Sequence, residues 1–413
     1  MKAMRNKVTI IRPFIFVTFA LLLSTSTIAQ TPNKRELPAP TGKYAVGRIS
    51  FHWVDQSRAE EITDDPNDWR ELMVTVWYPA ERATGEAAPY FANLERSGID
   101  QLRATFIRSV RSHAIADAKI SSAEQRYAVL VFSPGNEMNA VFYTAQIEDL
   151  ASHGYIVIGM DHAYESLSVI YPDGRVARYT DLHPKPGEPN SPEQGVRLYR
   201  RRVDWRAADA RFVLDQLEKL NAGNPASQFR GHLDLTRVGA LGHSIGGVAA
   251  AQICQSDRRF KACLNLDGKV NALSLFPDSE GKGPAQPFMT IEKALPAPTE
   301  KQLADWKTTR EQVARARNAA RTREADVLKT VKSGSYRVTL SGATHQSFSD
   351  EPLVFGFGDE NLKAANHRRT EIIRLYTLAF FDQHIRDRNS NLLRGSSSDY
   401  PEVIVERFSP AQK

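Results

Sequence analysis

The chain has 413 residues, 41% apolar and 25% charged, an ordinary balance for a globular protein able to bury its own core without metal or disulfide support. Its formal net charge is +6, but residues 1–29 carry four basic residues (Lys2, Arg5, Lys7 and Arg12) and no acidic one, so the rest of the chain stands at +2. That balance argues against nucleic acid as a partner, and two cysteines, Cys254 and Cys263, are too few for a zinc site and wrongly spaced for a redox pair.

Residues 1–29 read as an export signal. The basic start is followed by a short apolar run at 14–23 and by small residues at Thr27 and Ala29. The run is shorter than the roughly 20 residues needed to span a bilayer. The expectation is therefore an exported protein, periplasmic or extracellular, whose mature domain covers 30–413.

After a Pro-rich lead-in at 31–41, strands are expected at 44–53 and 72–78, with 56–68 as a loop and a weakly periodic helix within 91–115. The apolar run 127–132 ends in Ser133-Pro134-Gly135. A helix at 144–153 and a second apolar run at 155–160 follow. Apolar runs alternating with helices indicate a parallel sheet covered on both faces.

Residues 163–195 read as a loop with a turn at Pro172-Asp173-Gly174. Val203, Ala207, Ala210, Leu214 and Leu217 then fall on one helical face. A strand at 236–241 runs directly into Gly242-His243-Ser244-Ile245-Gly246-Gly247, followed by a helix at 248–254 and strands at 262–266 and 287–291. Residues 299–331 are helical in composition but poor in large apolar residues. They read as an inserted cap bordering the catalytic face. Their nine basic residues against five acidic ones (300–332) fit a solvated surface or a peripheral contact with anionic lipid. A strand at 336–340, a helix at 370–386 and a polar tail complete the chain.

Gly242-His243-Ser244-Ile245-Gly246 carries the chemistry. A serine on a sharp strand-to-helix turn projects its oxygen above the sheet, and the turn is too tight for side chains at the flanking positions. This predicts an α/β-hydrolase fold, a mostly parallel sheet with helices on both faces, and Ser244 as nucleophile. A serine hydroxyl needs a base, and the base needs an orienting acid. The chain order Ser, acid, His leaves His345, His367 and His384 as bases. His345, just past a strand, is in the right place, whereas the other two read as surface residues. Asp267 and Glu292 each end a strand, and the pattern does not choose between them. The oxyanion donors are expected to be the backbone N–H groups of Ile245 and Asn136, because Pro134 has none and Gly135 lets the chain approach closely.

Beyond this motif, the chain resembles the platelet-activating factor acetylhydrolase family, in its secreted plasma-type branch. The resemblance lies in Gly42 through Gly47, Trp77-Tyr78-Pro79, Val131-Phe132-Ser133, Asp149 through Val157, the nucleophile segment, Arg259-Phe260 through Asp267, Thr344 through Asp350 and Phe380 through His384. It implies Ser244 as nucleophile, His345 as base and Asp267 as acid, in a secreted esterase that cleaves short acyl esters, including those of phospholipids. Pro134-Gly135 departs from the family's His-Gly in the oxyanion loop. Ser133-Pro134-Gly135 and Leu150 through Gly154 also look like polyester hydrolases of the cutinase type, in which Glu292 is the acid. A catalytically silent binding module is the alternative from another class. No metal or organic cofactor is implied, the partner expected is a small-molecule or lipid ester, and the oligomeric state is left open. Cys254 and Cys263 stand near a helix end and a strand start, where they either pair or remain two small buried side chains.

Overall fold

The computed structural model describes residues 35–81, 85–182, 191–223, 227–270, 282–356 and 360–409. The expected export signal at 1–29 lies outside them. Among the described residues no helix is long and apolar enough to cross a membrane.

In chain order the strands are β1 (Arg35–Glu36), β2 (Ala45–Ala59), β3 (Trp69–Ala80), β4 (Val110–Arg111), β5 (Ile115–Ala116), β6 (Tyr127–Ser133), β7 (Tyr155–His162), β8 (Ser168–Ile170), β9 (Val176–Arg178), β10 (Leu233–His243), β11 (Phe260–Leu266), β12 (Phe288–Lys293), β13 (Ser335–Leu340) and β14 (Val403–Phe408). The helices are α1 (Gln101–Ser109), α2 (Thr144–Ser152), α3 (Pro192–Ala222), α4 (Ile245–Ser256), α5 (Glu300–Asp305), α6 (Arg310–Lys329), α7 (Glu351–Val354) and α8 (Glu360–Ile385).

Among the described residues ten strands form one sheet in the order β14-β13-β12-β11-β10-β6-β7-β3-β2-β5. From β13 to β7 the neighbours are parallel, while β14 and β3 join antiparallel on either side. The middle strands are near-continuous apolar runs because both their faces are covered. Successive side chains alternate between two cores. Leu130 and Phe132 join the one that includes Leu150 and Phe380, and Val129 and Val131 join the one that includes Val213 and Val248. Helices α2 and α8 thus cover one face, and α3 and α4 the other.

The register aligns the strand ends. Gly242 pairs with Ser133, His243 with Leu266, Leu266 with Ile291, and Lys293 with Leu340. The loops that follow β6, β10, β11, β12 and β13 therefore leave from one edge, the carboxyl edge where sites are built in such sheets.

Several expected boundaries shift. Strand β2 continues through Ala59, past a register irregularity after Asp55. Its far end is held by ion pairs from Arg58 to Asp55 and Asp209, which hydropathy does not register. Helix α1 is only nine residues long and is capped by the Asp100 side chain, which accepts from the Arg103 N–H. Helix α8 begins at Glu360, ahead of the expected 370. The polar tail supplies β14. Cys254 and Cys263 are joined in a disulfide with Cα atoms 6.4 Å apart.

The inserted segment at 299–331 is helical, but it does not border the carboxyl-edge cavity described below. Its helix α6 lies along β13 and β14. Val327 and Leu328 enter the core, and Arg321 pairs with Glu292 and Glu406. The packing of that last turn and the Arg321 pairs draw the segment to the edge of the sheet. Its basic excess is also partly met internally, by Arg310–Glu300, Lys301–Asp305, Arg315–Glu311 and Lys329–Asp326 pairs.

Candidate active site

Ser244 sits between the last residue of β10 and the first of α4, with φ 57° and ψ −122°. The turn closes only because its flanks lack side chains. A Cβ at Gly242 would meet the Gly246 carbonyl oxygen at 2.3 Å, and one at Gly246 would meet the Ser133 carbonyl oxygen at 2.2 Å. The Ser244 N–H donates to the Leu266 carbonyl (2.8 Å), fixing the turn to the next strand.

His345 begins a short 3-10 turn after β13, and Asp267 follows β11 directly. The His345 Nδ1 and Asp267 Oδ2 are 2.6 Å apart, with the carboxylate 5% exposed and the imidazole 38% exposed. Asp267 accepts two further bonds, from the Lys293 backbone N–H (3.1 Å) and from Lys293 Nζ (2.5 Å). Burial alone would raise this carboxyl group's pKa. The hydrogen bonds from His345 and Lys293 outweigh it and hold Asp267 below the usual carboxylate range.

The other candidates lie elsewhere. Glu292 accepts from Thr339 Oγ1 and Arg321 Nη1, each at 3.2 Å. His384 Nε2 is 3.2 Å from the Tyr336 hydroxyl, and His367 sits on α8. Lys293, the chain neighbour of Glu292, reaches Asp267 instead.

Two site neighbours escaped the sequence reading. His243 is buried with its ring 4.4 Å from that of His345. Burial, reinforced by the neighbouring His345, pushes its pKa down to about 3, so it stays neutral. Its Nδ1 is 2.8 Å from the Tyr143 hydroxyl, which in turn accepts from the Gly135 N–H at 3.0 Å. His243 stands inside the serine motif and was visible as a residue though not as a contact. Tyr143 leaves no signal in the sequence, since only the folded loop brings it back.

The Gly135 N–H is thus occupied. Asn136, the next residue, lines the cavity, and its side-chain oxygen accepts from Arg202. Ile245 is the first residue of α4, where backbone N–H groups have no intrahelical acceptor. Ser244, His345 and Asn136 face a cavity of about 370 Å³, walled on its apolar side by Ile107, Met138, Phe142, Leu167 and Phe355. Residues from the α1 and α7 regions therefore close it, in the place where the sequence puts the 299–331 insertion. Among the described residues the Ser244 hydroxyl makes no hydrogen bond, and such bonds often tighten only when substrate is bound.

The loop bearing His345 rests on a buried acid. Asp350 accepts from the Tyr90 hydroxyl (3.0 Å) and from the Ala145 N–H (3.2 Å). Burial pushes its pKa up to about 8 from an ordinary 3.8. With the folded value raised, the folded state holds a proton that the unfolded chain has released, so stability is lost as pH rises from about 4 through about 8. The melting temperature is expected to fall across this window, and Asp350→Asn to flatten the fall. An unchanged slope in the variant would show that Asp350 does not carry it.

A serine on a strand-to-helix turn, with an acid and a histidine on neighbouring loops of one mostly parallel sheet, defines an α/β-hydrolase. The chain belongs to the family described as platelet-activating factor acetylhydrolase, isoform II, whose model matches residues 30–363. It is similar to a probable 1-alkyl-2-acetylglycerophosphocholine esterase of Arthroderma benhamiae, 25% identical over 93% of this chain and 97% of the relative. It is also similar to platelet-activating factor acetylhydrolase of Gallus gallus, 24% identical over 78% of this chain and 75% of the relative. Among solved structures it resembles a ferulic acid esterase from Streptomyces cinnamoneus, with 31% identity, a TM-score of 0.66, and coverage of 90% of this chain and 99% of the other. General ester hydrolysis of a small-molecule substrate follows from these matches.

They also correct two expectations. The matching model is that of isoform II, so the assignment to the secreted plasma-type branch does not stand. The secreted esterase, and the periplasmic or extracellular location read from residues 1–29, fall for the same reason. The segments that carried the resemblance build strands, helices and the Ser244 turn, and framework of that kind does not separate one branch from the other.

Proposed function

We propose that this ester hydrolase is of the serine type. Ser244 Oγ attacks the ester carbonyl carbon while His345 Nε2 takes its proton, and Asp267 stabilises the imidazolium through Nδ1–H. The negative charge that develops on the carbonyl oxygen is met by the Asn136 and Ile245 N–H groups, each donor worth about 2.7–4 kcal/mol in such sites. His345 then gives its proton to the departing alcohol. Water, deprotonated by the same histidine, attacks the acyl-enzyme and releases the acid.

The observation that carries this reading is the 2.6 Å bond between His345 and Asp267 on the wall of a cavity that also holds Ser244. A silent binding module has no use for that arrangement. The cutinase-type alternative needs Glu292 beside the base, and Glu292 is taken up by Thr339 and Arg321.

The relatives are named for acetyl and ferulic acid esters, which share only the carboxylic ester bond. The apolar wall of Met138, Phe142 and Leu167 suits the uncharged part of such a substrate. Incubation with p-nitrophenyl acetate, methyl ferulate and an acetylated phospholipid should give steady turnover of at least one, with stoichiometric acid and alcohol. Failure on all three by folded protein would count against the proposal.

A further inference from the structure

Beneath the oxyanion loop lies a second Ser-His-Asp array. Ser133 Oγ is 2.9 Å from His162 Nε2, and His162 Nδ1 is 2.8 Å from Asp209 Oδ2. Asp209 also accepts from Arg70 (2.7 Å) and Arg58 (2.8 Å), so it is a charged acceptor and His162 must donate from Nδ1. Burial, with Arg206 nearby, lowers the His162 pKa and favours the neutral ring, which leaves Nε2 to accept from the Ser133 hydroxyl, the same polarity as in a hydrolytic triad.

Access excludes a second active site. His162 and Asp209 are fully buried and Ser133 nearly so. The cavity that Ser133 lines holds about 10 Å³, room for about one water and no ester.

The array has a different target. Ser133 is the last residue of β6, one step before the loop that carries Asn136. Arg202, Arg206 and Asp209 are spaced along one face of α3. Arg206 Nη1 donates to the Pro134 carbonyl at 2.6 Å, and Arg202 to the Asn136 side-chain oxygen. Both arginines are gathered by Glu165. Three of the four residues from 133 to 136 are therefore held from below by buried side chains, and the fourth, Gly135, by Tyr143. Apolar residues would stabilise such a layer at least as well as buried ions do. What ions add is fixed geometry at the loop.

We propose that Ser133, His162 and Asp209, with Arg202 and Arg206, are positioning residues that set the Asn136 N–H where the reacting oxygen becomes negative, raising kcat without touching substrate. This rests on the reading of Asn136 as an oxyanion donor. A donor displaced by about 1 Å costs on the order of 100-fold in rate.

The test pairs p-nitrophenyl acetate hydrolysis with inhibition by a phenyl trifluoromethyl ketone. The serine oxygen adds to that ketone's carbonyl carbon, the proton passes to His345 and the oxyanion remains in the hole. Ser133→Ala is expected to lower kcat by about 10- to 100-fold and to weaken the ketone by a similar factor, with KM within about twofold. Ser133→Thr, which restores the hydroxyl, should recover much of the loss. Arg202→Gln, nearer the surface, should show the same kcat and ketone losses if Ser133→Ala does not fold. Normal kcat and ketone affinity in folded Ser133→Ala or Arg202→Gln overturns the proposal, as does a loss confined to melting temperature. Asn136→Pro removes the donor itself. If that variant keeps full activity, the oxyanion reading fails; if it alone loses activity, only the positioning array fails.

Discussion

Ser244→Ala is expected to lower kcat by about 10⁶, the loss seen when a nucleophilic serine is removed from a working triad. The residual rate should still exceed that of water, because the oxyanion donors and the cavity remain. The fold should survive. Among the described residues the Ser244 hydroxyl bonds to nothing, and alanine at φ 57° is under much the same backbone strain as serine. Melting temperature and p-nitrophenyl acetate turnover, measured on one preparation, check both halves. A folded variant that keeps even a few per cent of activity would move the nucleophile elsewhere.

The second large effect is at the acid. Asp267→Asn should reduce kcat by about 10⁴, because the amide cannot hold His345 in the tautomer that leaves Nε2 free to accept a proton. It also takes away the partner of Lys293, leaving an ammonium group beside the base when it must become positive. Glu292→Gln should leave turnover within about twofold. Its carboxylate serves Thr339, Arg321 and the buried Arg337, so its loss should register in stability instead. Purified variants compared by kcat and melting temperature separate the two acids. The reverse pattern would return the acid to the end of β12.

The contrast between these acids marks where sequence reasoning stops. Asp267 and Glu292 both end strands, and hydropathy and spacing treat them alike. Their surroundings diverge through contacts made by other elements, namely the loop after β13 for Asp267 and α6 for Glu292. The alternation of apolar runs and helices was legible because buried parallel strands must be apolar throughout. The serine turn was legible because its geometry demands glycine. The 299–331 segment shows the opposite case. Its helical composition was plain, yet its direction was not, since Val327 and Leu328 enter the core while Arg321 pairs with Glu292 on β12, far before it in the chain, and with Glu406 on β14, far after it. Tyr143 and the Ser133–His162–Asp209 array are of the same kind. Each residue is ordinary in the sequence and acquires meaning from a partner tens of residues away.

The central claim, serine-type ester hydrolysis at Ser244, is tested most directly by covalent labelling with a fluorophosphonate followed by peptide mass mapping. One phosphonyl group per chain is predicted, on the peptide containing Gly242-His243-Ser244, with activity lost in proportion to labelling and no label taken up by Ser244→Ala. A fully active protein that resists the reagent, or a label mapped to another residue, would contradict it.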